Sequence, residues 1–340
     1  MSLPSVCFVG TMTGQNPGGL PTQGEALAGL LAQEGHRVMR VSTQTNRFLR
    51  LADIILTLVS RRREFELLIL QTYSGQAFWL TEVASLLGTL LRKRIIMHLH
   101  GGNLPAFSRQ HPRWVRQAFR RADHLVAPST FLAHELEWLG MPIEVIPNVL
   151  DLSRYPFQPR SRLRPRLLWM RSFHEIYNPE MAVRVLAELL PHAPDATLSM
   201  AGPDKGSLPK VQQLARELGI GDRIQFPGFL DEAGKIKAGQ EHDIYLNTNR
   251  IDNMPVSVLE MGAMGLPVVA TAVGGIRYLL TEGENAILVA DDDHQSMAGA
   301  ILRLLQDPGL AAHLSHNGRC LAESSSWGRV RTSWQQVLIR

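Results

Sequence analysis

The chain has 340 residues, 45% of them hydrophobic and 19% charged, with a formal net charge of +4, which is enough apolar material for two cores of ordinary size. Its two cysteines, Cys7 and Cys320, stand far apart without metal-ligand spacing, so neither a disulfide framework nor a zinc site is indicated and a reducing cytoplasm fits. The apolar start VCFVG is too short for a signal-peptide core, and no run approaches the roughly 20 apolar residues that cross a bilayer, so a soluble protein or one peripheral at the inner face of a membrane is expected.

In chain order, short apolar runs alternate with amphipathic stretches. Strand-like runs at 5–10, 37–43, 66–72, 94–100 and 124–129 are separated by helical patterns at 24–36, 52–62 and 77–91. Strands buried on both faces and separated by helices predict a parallel, doubly wound sheet, with ligands at the strands' carboxyl ends. Residues 151–166, DLSRYPFQPRSRLRPR, lack any period and read as a linker. Beyond them the alternation resumes: strands at 166–172, 196–202, 223–228, 243–248 and 267–271, helices at 179–190 and 208–218, and a largely helical tail from 295.

The positive charge is uneven. Residues 1–150 carry fifteen Lys and Arg against ten Asp and Glu, the rest twenty against twenty-one. The clusters Arg61–Arg63, Arg92–Arg94 and Arg113, Arg116, Arg120 and Arg121, the last beside Trp114 and Phe119, suggest a face that could dock on anionic lipid or an acidic acceptor. No helix-turn-helix, zinc-finger or RNA-recognition pattern accompanies them, so nucleic acid is not expected.

The densest motif is Asp252–Ile276, DNMPVSVLEMGAMGLPVVATAVGGI. Pro255 suits a first helical position and Gly265 a helix stop, so unpaired N–H groups around Val256, Ser257 and Val258 would form an anion-binding terminus fit for a diphosphate. Glu260, inside that helix among apolar neighbours, needs hydroxyl or N–H donors if it is ionised and buried, and ribose hydroxyls would serve. Gly274-Gly275 would let backbone approach a ligand closely.

At these residues the chain resembles the family-four retaining glycosyltransferases of the GT-B fold, through the acidic pair Asp252 and Glu260, the Gly-Leu-Pro-Val strand entry and the Gly-Gly turn. Further anchors in the expected order are NPGG, HG after the fourth strand, VAPSTFLAHEL, IEVIPNVLDL, AGPDKGS and FPGFLD. The resemblance implies two Rossmann-like domains facing across an interdomain cleft: an acceptor domain over 1–150, the linker 151–166, a donor domain over 167–325, and a C-terminal helix at 326–340 packing back on the first domain. It implies metal-independent transfer of a sugar from a nucleotide diphosphate donor, UDP favoured over GDP, to a saccharide or lipid-linked saccharide, with no cofactor. Asp252 and Glu260 would hold the sugar and the ribose, with Asn253, Met254, Pro255, Val256 and Ser257 completing the donor loop. Arg171 would grip phosphate, Gly18 and Gly19 would close over the diphosphate, and His100 would polarise a sugar hydroxyl. Phe229 and Leu230, with Phe226 nearby, would line the base pocket.

Two departures stand out. Asp252 replaces the commoner Glu, and Tyr177 stands where a phosphate-binding Lys is usual, so Lys205 becomes the candidate cation. Asp291, Asp292 and Asp293 are read as a solvated loop rather than a metal site. A nonhydrolysing nucleotide-sugar epimerase and a non-catalytic sugar-nucleotide binder remain the alternatives.

Overall fold

The computed structural model describes residues 3–14 and 22–339. The chain divides into two compact units, one comprising the first 149 residues with the segment from Trp327 onward, the other Leu150–Ser326. Each is built on a six-stranded, wholly parallel sheet.

In the first unit the strands are β1 Val6–Val9, β2 Val38–Val41, β3 Leu67–Thr72, β4 Arg94–Leu99, β5 His124–Ala127 and β6 Ile143–Val145, in spatial order β2-β1-β3-β4-β5-β6. β1, β3 and β4 are buried along almost their whole length, as strands covered on both faces must be. One face is packed by Ile54, Leu58, Phe78, Val115 and Phe119. The other carries Leu27 and Leu31, with Val330, Trp334, Val337 and Leu338 of the last helix, Trp327–Ile339. Arg94 fixes that helix from the amino end of β4 by donating to the carbonyls of Leu338 (3.0 Å) and Val337 (3.3 Å).

The second unit contains β7 Arg166–Met170, β8 Thr197–Ala201, β9 Ile224–Gly228, β10 Ile244–Asn247, β11 Val268–Thr271 and β12 Ile287–Val289, ordered β12-β11-β10-β7-β8-β9. The order reverses between β7 and β10 here, and between β1 and β3 in the first unit. The loops that leave such a pair of strands splay to opposite faces and open a crevice above the carboxyl ends, where doubly wound sheets bind ligands.

Three sequence expectations change. Residues 151–166, expected as a linker, belong to the second unit: Arg160 is buried and donates to the carbonyls of Gly239, Met264, Gln158 and His242, which ties the segment down. The basic face around Arg113–Arg121 keeps Arg113 and Arg120 exposed but loses its aromatic part, because Phe119 lies in the core, Trp114 donates to Glu82, and Arg121 is ion-paired to the same carboxylate at 2.8 Å. The helix predicted over 52–62 starts earlier, at Arg47, because Asn46 caps it by accepting from the Phe48 and Leu49 N–H groups. Among the described residues no helix is long and apolar enough to cross a membrane.

Candidate functional site

The crevice of the second unit collects most of the residues singled out in the sequence. Arg171 follows β7 directly, and the segment after β10 carries Asn249 and Asp252. Arg171 Nη2 donates to Asp252 Oδ2 at 2.7 Å, and Asn249 Nδ2 donates to the same oxygen at 2.6 Å. The second oxygen, Oδ1, accepts from the Asn253 N–H at 2.8 Å. The Arg171 guanidinium also lies over the Tyr177 ring, 4.1 Å from its centroid. Burial works against its charge, but Asp252, Tyr177 and Tyr245 more than offset that, so it is held charged.

Glycines set this geometry. Gly274 and Gly275 follow β11, and a Cβ on Gly275 would sit 1.8 Å from the Asn253 carbonyl oxygen. The Gly275 N–H instead donates to the Asp252 carbonyl at 2.9 Å. The pair therefore serves the approach of the Asp252 loop, not directly that of a ligand. Gly202 does the same after β8, where a Cβ would meet the Arg171 carbonyl oxygen at 1.9 Å.

The helix beneath runs Val256–Ala263 with Pro255 as its cap residue, so Pro255 precedes the first helical position rather than filling it. Gly265 ends it with φ +83°. The Val258 N–H bonds back to the Pro255 carbonyl, while those of Val256 and Ser257 have no partner among the described residues. The free donors thus narrow to two. Asn253, Met254 and Ser257 are buried at this terminus, with Ser257 beside the Tyr245 hydroxyl.

Glu260 is buried, and its donors are different from those the sequence suggested. Tyr155 Oη donates to Oε1 at 2.9 Å, and Lys235 Nζ contacts Oε1 at 2.8 Å and Oε2 at 3.1 Å. A hydroxyl and a lysine side chain thus satisfy this buried carboxyl group inside the unit. Burial and Glu260 push the Tyr155 phenol well up, so it remains a proton donor. Tyr245 senses Arg171, Glu260 and Asp252 together, with its phenol pushed up to about 12 chiefly by burial. Sequence reasoning missed Lys235 and Tyr155. The signal was the need of a buried Glu260 for donors.

Several buried polar atoms in this crevice lack partners among the described residues: Arg171 Nε, Asn247 Nδ2 and Asn249 Oδ1. Each would cost about 1–3 kcal/mol if left dry, so their grouping marks a place built for a polar ligand or water. Lys205 is exposed and its side chain bonds to no described residue. Phe229 is half-buried. Leu230 packs on the sheet face that holds Tyr155 and Tyr245, whereas Phe226 packs on the opposite face near Phe173, so the structure separates Phe226 from Leu230. The acidic run is dispersed: Asp293 caps the helix His294–Gln306 through the Ser296 N–H, Asp292 accepts from Asn178, and Asp291 faces Arg250. Among the described residues no cluster of His, Cys, Asp or Glu is placed to hold a metal ion.

The first unit's crevice is of another kind. Gln71, near the end of β3, fills the room left by Gly10 and Gly24, where a Cβ would come within 2.7 Å of it. Its Oε1 accepts from His100 Nε2 at 2.7 Å, which assigns the ring proton to Nε2 and leaves Nδ1 as an acceptor. The His100 ring stacks on Tyr73, 4.9 Å between centroids, and burial pushes its pKa down to about 3. His98, buried between His100 and Trp334, has no hydrogen-bond partner on either nitrogen among the described residues and is likewise held neutral by burial. Glu25 accepts from the N–H groups of Gly14 and Thr22, bracketing the glycine loop. Gly18 and Gly19 lie outside the described residues.

Residues 164–307 match the family model for glycosyl transferases group 1, and residues 17–154 that for glycosyltransferase family 4. The chain belongs to the family 4 glycosyltransferases. Its similarity to individual relatives in this family is moderate. A lipopolysaccharide core biosynthesis glycosyltransferase of Rhizobium meliloti (strain 1021) is 27% identical over 207 residues, 59% of either chain. A lipopolysaccharide core biosynthesis mannosyltransferase of the same strain is 28% identical over 245 residues, 67% of this chain and 68% of the relative. Alignments therefore span about three-fifths of the first relative's length. Among solved structures, sucrose-phosphate synthase from Thermosynechococcus elongatus superposes with a TM-score of 0.81 at 18% identity over 98% of both chains. Anabaena HepE in complex with UDP-glucose gives 0.77 at 20% identity, again over 98% of both. These likenesses establish the two-sheet fold of the GT-B glycosyltransferases.

Proposed function

We propose that this family 4 member is a hexosyltransferase that moves a sugar, with retention of configuration, from a nucleotide diphosphate donor to a hydroxyl of a saccharide or lipid-linked saccharide, in cytoplasmic polysaccharide or glycolipid synthesis. The observation that carries the reading is the Arg171–Asp252–Asn249 cluster above the free N–H groups of Val256 and Ser257. It offers a fixed cation and amide donors for phosphate oxygens, and a carboxylate for sugar hydroxyls, within one crevice. The named structures of Anabaena HepE with UDP and with UDP-glucose support UDP as the favoured carrier, ahead of GDP.

In this reading Arg171 and the helix terminus stabilise the departing diphosphate as the glycosidic bond breaks. The leaving phosphate takes the acceptor's proton on the same face, so no enzymic nucleophile or metal is required. Neutral His100 orients a sugar hydroxyl, Glu260 holds the ribose, Leu230 with Phe229 borders the base, and Lys205 adds charge at the phosphates.

Calorimetry with UDP, GDP and ADP should give saturable binding with UDP tightest, and product analysis by NMR should show the donor's anomeric configuration kept. Absence of binding by all three nucleotides would end the proposal. Conversion of the donor without an acceptor would point instead to an epimerase.

A further inference from the structure

Gln71 is the penultimate residue of β3 and is 5% exposed. A Cβ on Gly10, just after β1, would stand 2.7 Å from the Gln71 Cβ. One on Gly24, in the first turn of the helix Gln23–Gln33, would stand 2.6 Å from the Gln71 carboxamide carbon and 2.7 Å from Oε1. A strand end and a helix thus both leave room for this one amide. An apolar side chain of that size would fill the same space, yet the chain keeps an amide whose Nε2 is buried with no partner among the described residues. A buried donor left open costs stability, so packing alone does not account for Gln71.

What the amide holds is His100, whose Nε2 donates to Gln71 Oε1 at 2.7 Å. The ring is already fixed in place by other contacts. Tyr73 stacks on it with the planes 21° apart, the His98 ring lies 4.1 Å away between centroids, and the His100 backbone N–H donates to the Thr72 carbonyl at 2.8 Å. Ring orientation therefore owes little to Gln71, and the property left for it to set is which nitrogen carries the proton. A neutral imidazole has one donor and one acceptor, so a proton held on Nε2 leaves Nδ1 able to accept from a hydroxyl. The amide does this without adding charge. A carboxylate in its place would favour imidazolium, which has no acceptor left.

We propose that Gln71 is a positioning residue that locks His100 in its Nε2–H tautomer and so presents Nδ1 as the acceptor for a sugar hydroxyl. This role rests on the proposed function only for the hydroxyl. The tautomer is a property of the free protein and is read without donor, acceptor or turnover. Gly24 belongs to the same device, since a methyl group added there strikes the carboxamide while leaving Gln71 in the sequence.

The test is nitrogen-15 NMR of the histidine rings in the full chain, with His100→Ala assigning the His100 signals. Near neutral pH the parent is expected to show one neutral form with the proton on Nε2. Gln71→Met, which keeps the volume and removes the acceptor, should populate the Nδ1–H form. Gly24→Ala should do the same by displacing the amide, in a helix that alanine favours. Circular dichroism and UDP calorimetry verify folding, with UDP affinity unchanged within about twofold because the proposed donor crevice lies in the other unit. In Gln71→Met kcat should fall about tenfold. In the His100→Ala background the same substitution should cost nothing further, because its effect runs through His100. A parent ring protonated on Nδ1, a tautomer unmoved by both variants, or a kcat loss that adds to that of His100→Ala overturns the proposal. If the parent binds no nucleotide, the proposed function falls, and the tautomer still decides whether Gln71 sets His100.

Discussion

The two units share one construction, a six-stranded parallel sheet whose order reverses once, but they furnish the crevice at that reversal in opposite ways. In the second unit Arg171 is ion-paired to Asp252 and Lys235 to Glu260 across loops and helices. In the first, the strand ends present an amide and neutral rings: Gln71, Tyr73, His98 and His100. A diphosphate brings its own charge and needs fixed cations and amides. A hydroxyl brings none and needs an oriented neutral acceptor. In the proposed function this contrast would let one topology serve both halves of a transfer reaction, and it can be broken from either side.

The largest effect is expected at the charged crevice. Arg171→Ala leaves the half-buried Asp252 with Asn249 and one backbone N–H, and removes the cation that the proposed function offers to phosphate. Truncating one partner of a buried hydrogen-bonded charge pair costs about 2–5 kcal/mol, so kcat/KM should fall by roughly a hundredfold or more. Steady-state kinetics with the best donor checks this, and a loss under about tenfold would detach Arg171 from the chemistry. Next comes the glycine support. Gly275→Ala would drive a Cβ into the Asn253 carbonyl, displacing the Asp252 loop at a cost of about 3 kcal/mol. Gly299→Ala, inside the helix His294–Gln306 with open space around it, serves as the control and should stabilise by ~0.5–1 kcal/mol. Urea denaturation of both variants separates a steric loss from a generic response to alanine.

Much of this contrast is visible in the sequence, and the parts that are not share a cause. The alternation of apolar runs with amphipathic stretches reveals both sheets, because a buried parallel strand leaves an uninterrupted apolar signature. Asp252, Glu260 and Arg171 are legible because they sit at strand ends or at a Pro-started helix. Lys235 is hidden because its helix, Glu232–Glu241, has almost no apolar stripe, and Tyr155 because it lies in a Pro- and Arg-rich stretch that composition reads as a tether. Both are long-range partners of Glu260, 25 and 105 residues away in the chain. The role of Gly274-Gly275 is a similar case. A glycine pair announces close approach, but only the fold tells what approaches.

The neutral crevice predicts a pH effect. Burial depresses both imidazoles, His100 to about 3, against roughly 6.5 in an unfolded chain. Between those values the unfolded state holds the extra protons, so the stability these groups contribute is complete above pH 6.5 and declines as the pH falls through the window. At pH 5 His100 alone should remove roughly 2 kcal/mol. Urea midpoints recorded from pH 7.5 to 5 should slope less steeply in His100→Asn. An identical slope would mean that His100 takes up its proton as readily in the folded protein as in the unfolded chain, and the contrast between the crevices would fail.

The smallest effect is expected at Lys205. Tyr177, which stands where the family resemblance places a phosphate-binding Lys, stacks on Arg171 instead, and two lysines are candidates for the charge it would have supplied. Lys235 is engaged by Glu260, whereas Lys205 is exposed and free of described partners. An exposed ammonium is screened by water and salt, which limits its contribution to about 1 kcal/mol. Lys205→Ala should therefore weaken UDP binding by about threefold to fivefold at low salt, and by less at 0.5 M salt. Lys235→Met should also weaken binding, but by freeing Glu260 to repel the diphosphate, so Glu260→Gln in the same background should restore part of the loss. If Lys205→Ala binds UDP as tightly as the parent protein at every salt concentration, the compensating charge is not on that loop, and Arg171 with the two free amides must hold the phosphates alone.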